Sequence, residues 1–383
     1  MKILAYFNNF FWLFSTYLLA PYLYFRIFLR KRKNAPLKIL AIHTGKIGDL
    51  VCATSVFREI KKKFPSSLVT VIVISKSRDI LRNNPHLDEI ISINDYKTIR
   101  DRFRLLSKLR KEKYDWAFNF LPGSFHNIIS FWSLVPDRAA TLYRYSGEIV
   151  GLLSVFNNHR LEFKRHTSLE KHYANLLELI GIKEFSPKTE IFIRPEEEKK
   201  ASSFLKENNV TADDFLIGIS ATAGIKFKEW EHDKFAVLAD QLTAKIKAKV
   251  IFVGSPDDRP AIEKIQKMMK NNSINAAGAF KLQELAALMR NLKLFVSVDC
   301  GPLYVADAAG VPSVVIAGSV DMREQHPLNS IYRVVQKDIY CFPCSFTPFP
   351  ARVCKEGHLR CLKEITPEEV LDSVVKLINE EKL

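Results

Sequence analysis

The chain lacks the glycine signatures that usually mark a nucleotide-binding α/β protein. Only 14 glycines occur in 383 residues, and no two stand two positions apart, so the dinucleotide fingerprint G-x-G-x-x-G is absent. No glycine loop ends in the Gly-Lys-Ser/Thr of a P-loop either. There is no repeat of solenoid length, which excludes a stacked-repeat architecture. No recognised nucleic-acid module or interleaved basic-aromatic pattern is found, so nucleic acid is not the expected partner. Residues 3–25 carry no charge. With 47% hydrophobic and 26% charged residues, the composition is that of a folded protein rather than a disordered one.

What is present is positive charge. The formal net charge is +15. Basic residues crowd the first part of the chain at Arg26, Arg30-Lys31-Arg32-Lys33, Lys61-Lys62-Lys63 and from Arg100 to Lys113. That distribution suits an anionic membrane surface or a phosphorylated acceptor. The uncharged stretch is heavily aromatic, with Tyr6, Phe7, Phe10, Phe11, Trp12, Phe14, Tyr17, Tyr22, Tyr24 and Phe25. It is long enough to span a bilayer, and its aromatics also suit the interface. The n-region has only Lys2, and a basic cluster follows, so a cleaved signal peptide fits poorly. The basic cluster keeps the folded body on the cytoplasmic side by the positive-inside rule. A membrane-associated helix is therefore expected over residues 1–33 with their basic linker. Because the α/β pattern begins only at Leu37, the body is expected to fold without them.

From Leu37 onward strand and helix alternate, which predicts parallel sheets covered on both faces. Apolar strands are read at Leu37 to Thr44, Leu68 to Ser75, Glu89 to Asn94, Asp115 to Phe120 and Ala139 to Tyr143. A helix from Leu50 to Phe64 follows the first strand, and Thr98 to Lys113 is a basic helix. Residues 144–167 read as irregular. The pattern changes around Thr189 to Pro195 and then restarts with strands at Phe215 to Ser220, Val250 to Gly254 and Leu294 to Val298. This predicts two facing Rossmann-like domains, residues 34–190 and 191–383.

The most informative stretch is residues 296–318, VSVDCGPLYVADAAGVPSVVIAG. A strand ends at Asp299, the turn Cys300-Gly301-Pro302 follows, and an alanine-rich helix begins at Leu303. The first helical amides, backed by the helix dipole, form a phosphate site that needs no metal. Gly301 lets a ligand approach the backbone, and Pro302 at the first turn forfeits no needed hydrogen bond. Read alone, the segment is equally an ordinary βαβ unit. In Gly45-Lys46-Ile47-Gly48-Asp49 a tight glycine turn sets Asp49 at the mouth of the first sheet, as a base or as a helix cap. In the second half, Lys226 and Lys228 stand on the loop after the domain's first strand, where ligand crevices form. The turn Val253-Gly254-Ser255-Pro256-Asp257-Asp258 carries carboxylates fit for a ribose or a cap.

Together these segments resemble glycosyltransferase family 9, the heptosyltransferases of lipopolysaccharide core assembly. The resemblance rests on GKIGDLVCATSVFREIKKKFP, the Lys228-Glu229-Trp230 triplet, VGSPDD, VDCGPLYVADAAGVP and the tail CFPC…CKEGHLRCLKEITPEEV, in this order. It implies a GT-B fold and inverting transfer from a nucleotide sugar, commonly ADP-heptose, with no cofactor or metal required. The expected partners are that donor, a lipid-linked or phosphorylated saccharide acceptor and a membrane surface. By position it makes Asp49 the general base beside Gly48, and Lys228 the diphosphate lysine. Asp299, Cys300, Gly301, Pro302 and Leu303 become the diphosphate turn, with Asp258 near the ribose. A loop with Arg144, Arg160 and Arg165 is a candidate for anionic core sugars. Three positions depart from the family: Tyr304 replaces a usual histidine, Glu231 the proline after the Lys-x-Trp triplet, and Ser55 another proline. Another nucleotide sugar as donor, such as a UDP-hexose, is the alternative reading, as is a silent sugar-nucleotide-binding membrane protein.

Four of the six cysteines fall in residues 341–361, as Cys341-x2-Cys344-x9-Cys354-x6-Cys361 with His358 between the last two. The spacing suits tetrahedral zinc, while a cytoplasmic location argues against structural disulfides. Reduced thiols packing a proline-rich loop are the plainer reading.

Overall fold

The structure, a computed structural model, describes residues 2–30, 37–121, 123–143, 147–347 and 350–382. Lys31-Arg32-Lys33, Arg144 and part of the proline-rich loop lie outside the described residues. The chain forms two compact units, Met1–Lys46 with Ala53–Pro187, and Ile47–Cys52 with Lys188–Leu383.

The first unit is built on a six-stranded sheet. Its strands are β1 (Lys38–Ile42), β2 (Leu68–Val73), β3 (Glu89–Ser92), β4 (Trp116–Asn119), β5 (Asp137–Leu142) and β6 (His159–Glu162). They lie in the order β3-β2-β1-β4-β5-β6, and every pairing is parallel. Strand β1 is central, with Ile39 opposite both Val69 and Trp116. The second unit repeats the arrangement with β7 (Leu216–Ser220), β8 (Lys249–Phe252), β9 (Ile274–Asn275), β10 (Leu294–Val298), β11 (Ser313–Ile316) and β12 (Tyr332–Val335). Its order is β12-β11-β10-β7-β8-β9, again wholly parallel. Counted from each unit's first strand, both sheets read 3-2-1-4-5-6. The order reverses direction between β1 and β4 and between β7 and β10, and ligands of such sheets bind outside the carboxyl ends at that point.

Central strands announce themselves because both faces are covered. All five residues of β7 and of β10 are buried. The edge strands β6, β9 and β12 went unread because they lack that cover. In β6 the residues are at most half-buried, β9 is two residues long, and only Val335 of β12 is buried. Residues 144–167, read as irregular, thus contain β6 and also the helix Glu148–Ser154.

Two further differences matter. The expected single helix Leu50 to Phe64 is two helices, Ile47–Cys52 and Thr54–Lys63, and the first belongs with the second unit. The N-terminal segment forms one helix, Lys2–Phe28, with Pro21 inside it. Among the described residues no helix is long and apolar enough to cross a membrane. Nor is this helix an appendage to the body. Trp12 and Leu23 are buried in the first unit's core with Ile128, Phe131 and Trp132. The Trp132 indole donates to Thr16 Oγ1 at 2.9 Å, and Tyr17 donates to the Leu152 carbonyl at 3.0 Å. Cutting the helix away would uncover that core.

Candidate active site

The second sheet's switch point carries two of the expected residues. Strand β7 ends at Ser220, and the chain then runs through a polar loop into the short helical turn Lys226–Lys228. Trp230 fixes this loop, being almost fully buried with its indole N–H donating to the Ile365 carbonyl at 3.2 Å. Strand β10 ends at Val298, so Asp299 leaves the sheet next to β7. Lys228 Nζ donates to Asp299 Oδ2 in a short ion pair, with side chains 16% and 13% exposed. The lysine and the turn are therefore brought together.

The helix Gly301–Ala308 starts from an extended Cys300, and no side chain caps it. Pro302 stands in its first turn. Its amino end faces out of the sheet's carboxyl edge, the geometry in which backbone amides receive an anion. Cys300 is held from below, its sulfur 3.4 Å from Ser220 Oγ and 3.2 Å from Ser297 Oγ, and burial pushes its thiol pKa up. Leu303 is fully buried and donates its N–H to the Cys300 carbonyl at 3.2 Å.

Asp49 comes to the same unit, which the sequence did not anticipate: it reads as a residue of the first domain. The helix Ile47–Cys52 packs against Gly301–Ala308, and glycine makes the approach possible on each side. A Cβ on Gly48 would lie 2.6 Å from the Tyr304 ring, and one on Gly301 would lie 3.0 Å from Ile47 Cβ. Gln325 then ties the carboxylate down. With its amide oriented to satisfy both partners, it donates to Asp49 Oδ1 at 3.1 Å and accepts from Asp49 N at 3.2 Å.

Tyr304, the departure from the family pattern, sits between the two carboxylates. It is buried, and its hydroxyl reaches Asp299 Oδ1 and the Gln325 carbonyl, each at 3.2 Å. Burial first, then the negative neighbours Asp299 and Asp49, drive its pKa well above the usual phenol value. It stays a neutral donor. The segment bearing Gln325 is pinned from the same helix, because the Asp307 carboxylate accepts the backbone N–H groups of Leu328, Asn329 and Ser330 at 2.8–2.9 Å. Gln325 and Asp307 gave no signal in the sequence, since only the folded chain brings them to Asp49.

Asp258 caps its own turn. Its Oδ2 accepts from Ser255 N at 2.7 Å and Ser255 Oγ at 2.6 Å, a capping box on the turn Pro256–Asp258. The arginines of the candidate acceptor loop belong to the first unit. Arg160 is exposed on edge strand β6, and Arg165 is exposed beyond it. At the first sheet's own switch point, Thr44 Oγ1 lies 3.1 Å from His126 Nδ1. Burial and the Arg102 charge lower the His126 pKa to about 4. His43, bonded to the Tyr173 hydroxyl at 2.9 Å, is likewise lowered to about 4 by burial.

All six cysteines are free. Cys361 is buried and its thiol is pushed up to about 11, by burial first and then by Cys344, Cys341 and Cys354. The late cysteines thus share one neighbourhood. Tyr340 closes it by donating to Glu356 Oε2 at 2.7 Å, with His358 Nε2 3.4 Å away.

Comparison with known proteins agrees with this architecture. The family model described as glycosyltransferase family 9 (heptosyltransferase) matches residues 102–350, which include Lys228, Asp258 and Asp299 to Leu303 but not Asp49. Lipopolysaccharide heptosyltransferase 2 of Salmonella typhimurium is 26% identical over 362 residues, 90% of this chain and 99% of the relative. Lipopolysaccharide heptosyltransferase 3 of Escherichia coli is 24% identical over 341 residues, 87% and 96% of the two chains. Among solved structures, a family 9 glycosyltransferase of Veillonella parvula aligns with a TM-score of 0.78 at 23% identity, covering 92% of this chain and 100% of the other. The E. coli ADP-heptose heptosyltransferase II aligns at 0.70 with 21% identity, covering 91% and 100%. The fold is the GT-B type that the sequence motifs implied.

Proposed function

Because the chain belongs to glycosyltransferase family 9, the heptosyltransferases, we propose that it transfers heptose from ADP-heptose to a saccharide of the lipopolysaccharide core with inversion at the anomeric carbon. The relatives' names supply the sugar and the acceptor class. The observation that carries the mechanism is the grouping of Lys228, Asp299, the uncapped helix start at Gly301 and the Gln325-held Asp49 in one unit.

An acceptor hydroxyl is a weak nucleophile and needs a base in line with the anomeric carbon. Asp49 takes that proton. As the glycosidic bond to phosphate breaks, charge grows on the departing ADP. The Gly301 amide, the positive end of the helix Gly301–Ala308 behind it and the Lys228 ammonium stabilise it, and this step uses no metal or cofactor. Lys228 reaches the diphosphate by releasing Asp299, whose other oxygen stays with Tyr304. A lipid-linked acceptor sets the reaction at the cytoplasmic face of the inner membrane. The +15 charge supports such a surface.

The test is transfer from ADP-heptose to a heptose-deficient core acceptor, read by ADP release and by a mass gain of one heptose. UDP-hexoses run beside it. In Asp49→Asn, turnover should fall about 10²–10⁴-fold with ADP affinity nearly unchanged. Transfer from a UDP-hexose alone would replace the donor. Binding with neither transfer nor slow donor hydrolysis would make the protein a silent binder. Unchanged turnover per folded Asp49→Asn molecule would reduce Asp49 to a structural residue.

A further inference from the structure

The helix Lys2–Phe28 has two apolar faces, and among the described residues only one of them meets protein. Trp12, Thr16 and Leu23 recur at helical spacing and are buried, with Ala20 and Ile27 packed beside them. Half a turn away, Phe10, Phe14, Leu18, Phe25 and Phe28 form a second stripe, from 58% exposed at Phe25 to 84% at Phe28. At 1.5 Å per residue the helix is about 40 Å long, so this is a ridge of large side chains far beyond a scattered surface leucine.

The charges around the ridge indicate what covers it. No Asp or Glu occurs before Asp49. Arg26 is exposed at the ridge's flank, stacking on Tyr22 at 5.7 Å from the ring centroid and donating to its hydroxyl at 2.6 Å. The basic helix Ile99–Glu112 lies alongside, with Phe103 packed on Trp12 at 5.2 Å. On that helix Arg100 and Lys111 are exposed, and the exposed Arg104 pairs with Asp101. An apolar ridge bordered by cations matches the boundary between acyl chains and anionic headgroups. A second copy is a poor occupant, since it would bring another basic flank against this one.

We infer that this helix is an in-plane membrane-docking ridge, fixed to the first unit by its Trp12 face and embedded in an anionic lipid surface by its Phe14 face. The buried face decides the orientation: a helix held along its length by Trp12, Thr16 and Leu23 cannot also stand across a bilayer. Phe and Leu enter the acyl boundary while Arg26 extends to the headgroups. This deepens the membrane reading of the proposed function and names the surface responsible.

The experiment is vesicle co-sedimentation of the full chain, comparing phosphatidylethanolamine–phosphatidylglycerol vesicles with pure phosphatidylcholine. The wild type should bind the anionic vesicles and be stripped from them by alkaline carbonate. Phe14→Asp with Leu18→Asp should weaken binding at least about 10-fold. Both side chains are exposed, so the thermal midpoint should not fall. Wild-type binding by that variant, or no preference for anionic vesicles, would overturn the proposal. Resistance to carbonate would show a spanning segment and overturn it too, as would a dimer that the variant dissolves in the absence of lipid. Heptosyl transfer to a water-soluble acceptor is measured in parallel. Its loss in the wild type would refute the enzymatic reading and leave the docking result standing.

Discussion

Replacing Lys228 by methionine separates two jobs that one ion pair combines. The side chains of Lys228 and Asp299 are mostly buried, and the other oxygen of the Asp299 carboxylate accepts from the Tyr304 hydroxyl. Lys228→Met keeps the stem and removes the cation, leaving a buried carboxylate uncompensated. Breaking a fully buried pair this way costs about 3–5 kcal/mol. With some solvent at both groups, a loss of about 2–3 kcal/mol is expected here. ADP loses a charge-assisted bond worth roughly 1.5–3 kcal/mol, which is about 10- to 150-fold in dissociation constant. Calorimetric titration with ADP and a melting curve read the two effects separately. Adding Asp299→Asn should restore most of the stability, because no charge is then stranded, while ADP stays at least about tenfold weaker than in the wild type. A double variant that binds ADP as tightly as the wild type would remove Lys228 from the diphosphate site.

Gly48→Ala should destabilise by about 1–3 kcal/mol through collision with the buried Tyr304 ring, and the cost should shrink in a Tyr304→Ala background; equal costs in both backgrounds would contradict the packing. His43 and His126 are held neutral with pKa values near 4 against 6.5 for the free side chain. The unfolded chain therefore binds more protons between these values, and stability falls as pH drops from about 6.5 toward 4, by up to roughly 3 kcal/mol per histidine. Urea midpoints across that range check the sign, and His126→Gln should remove about one proton from the slope. Protein purified without chelator should hold no stoichiometric zinc and titrate six thiols when denatured; near-stoichiometric zinc would turn the Cys341 to Cys361 loop into a structural metal site.

The legible part of the fold was the part whose signal is local. Strands β1, β2, β7 and β10 are apolar because both faces are covered, so they stand out in the sequence wherever the sheet closes around them. Edge strands such as β6 and β12 have one open side, and their polar residues hid them. Lys228 and the Asp299 turn were legible for a related reason. Each stands on the connection that follows a central strand, and parallel pairing of β7 with β10 delivers both to one edge.

Asp49 shows what stays hidden. Its position after β1 assigns it by sequence to the first domain, yet its six-residue helix packs with the second unit. That outcome depends on what Gly48 and Gly301 allow their neighbours to do. Tyr304 and Ile47 fill the places a Cβ would take, and no property of the GKIGD segment by itself specifies those neighbours. The N-terminal helix follows the same logic in reverse. Its sequence is apolar nearly all round, and that composition reads as a membrane-associated helix without showing that one face packs into the core. The fold resolves this by burying Trp12 and Leu23 and leaving Phe14 and Leu18 outside. In both cases the residues were visible in advance, and what they touch was decided by chain brought from far away in sequence.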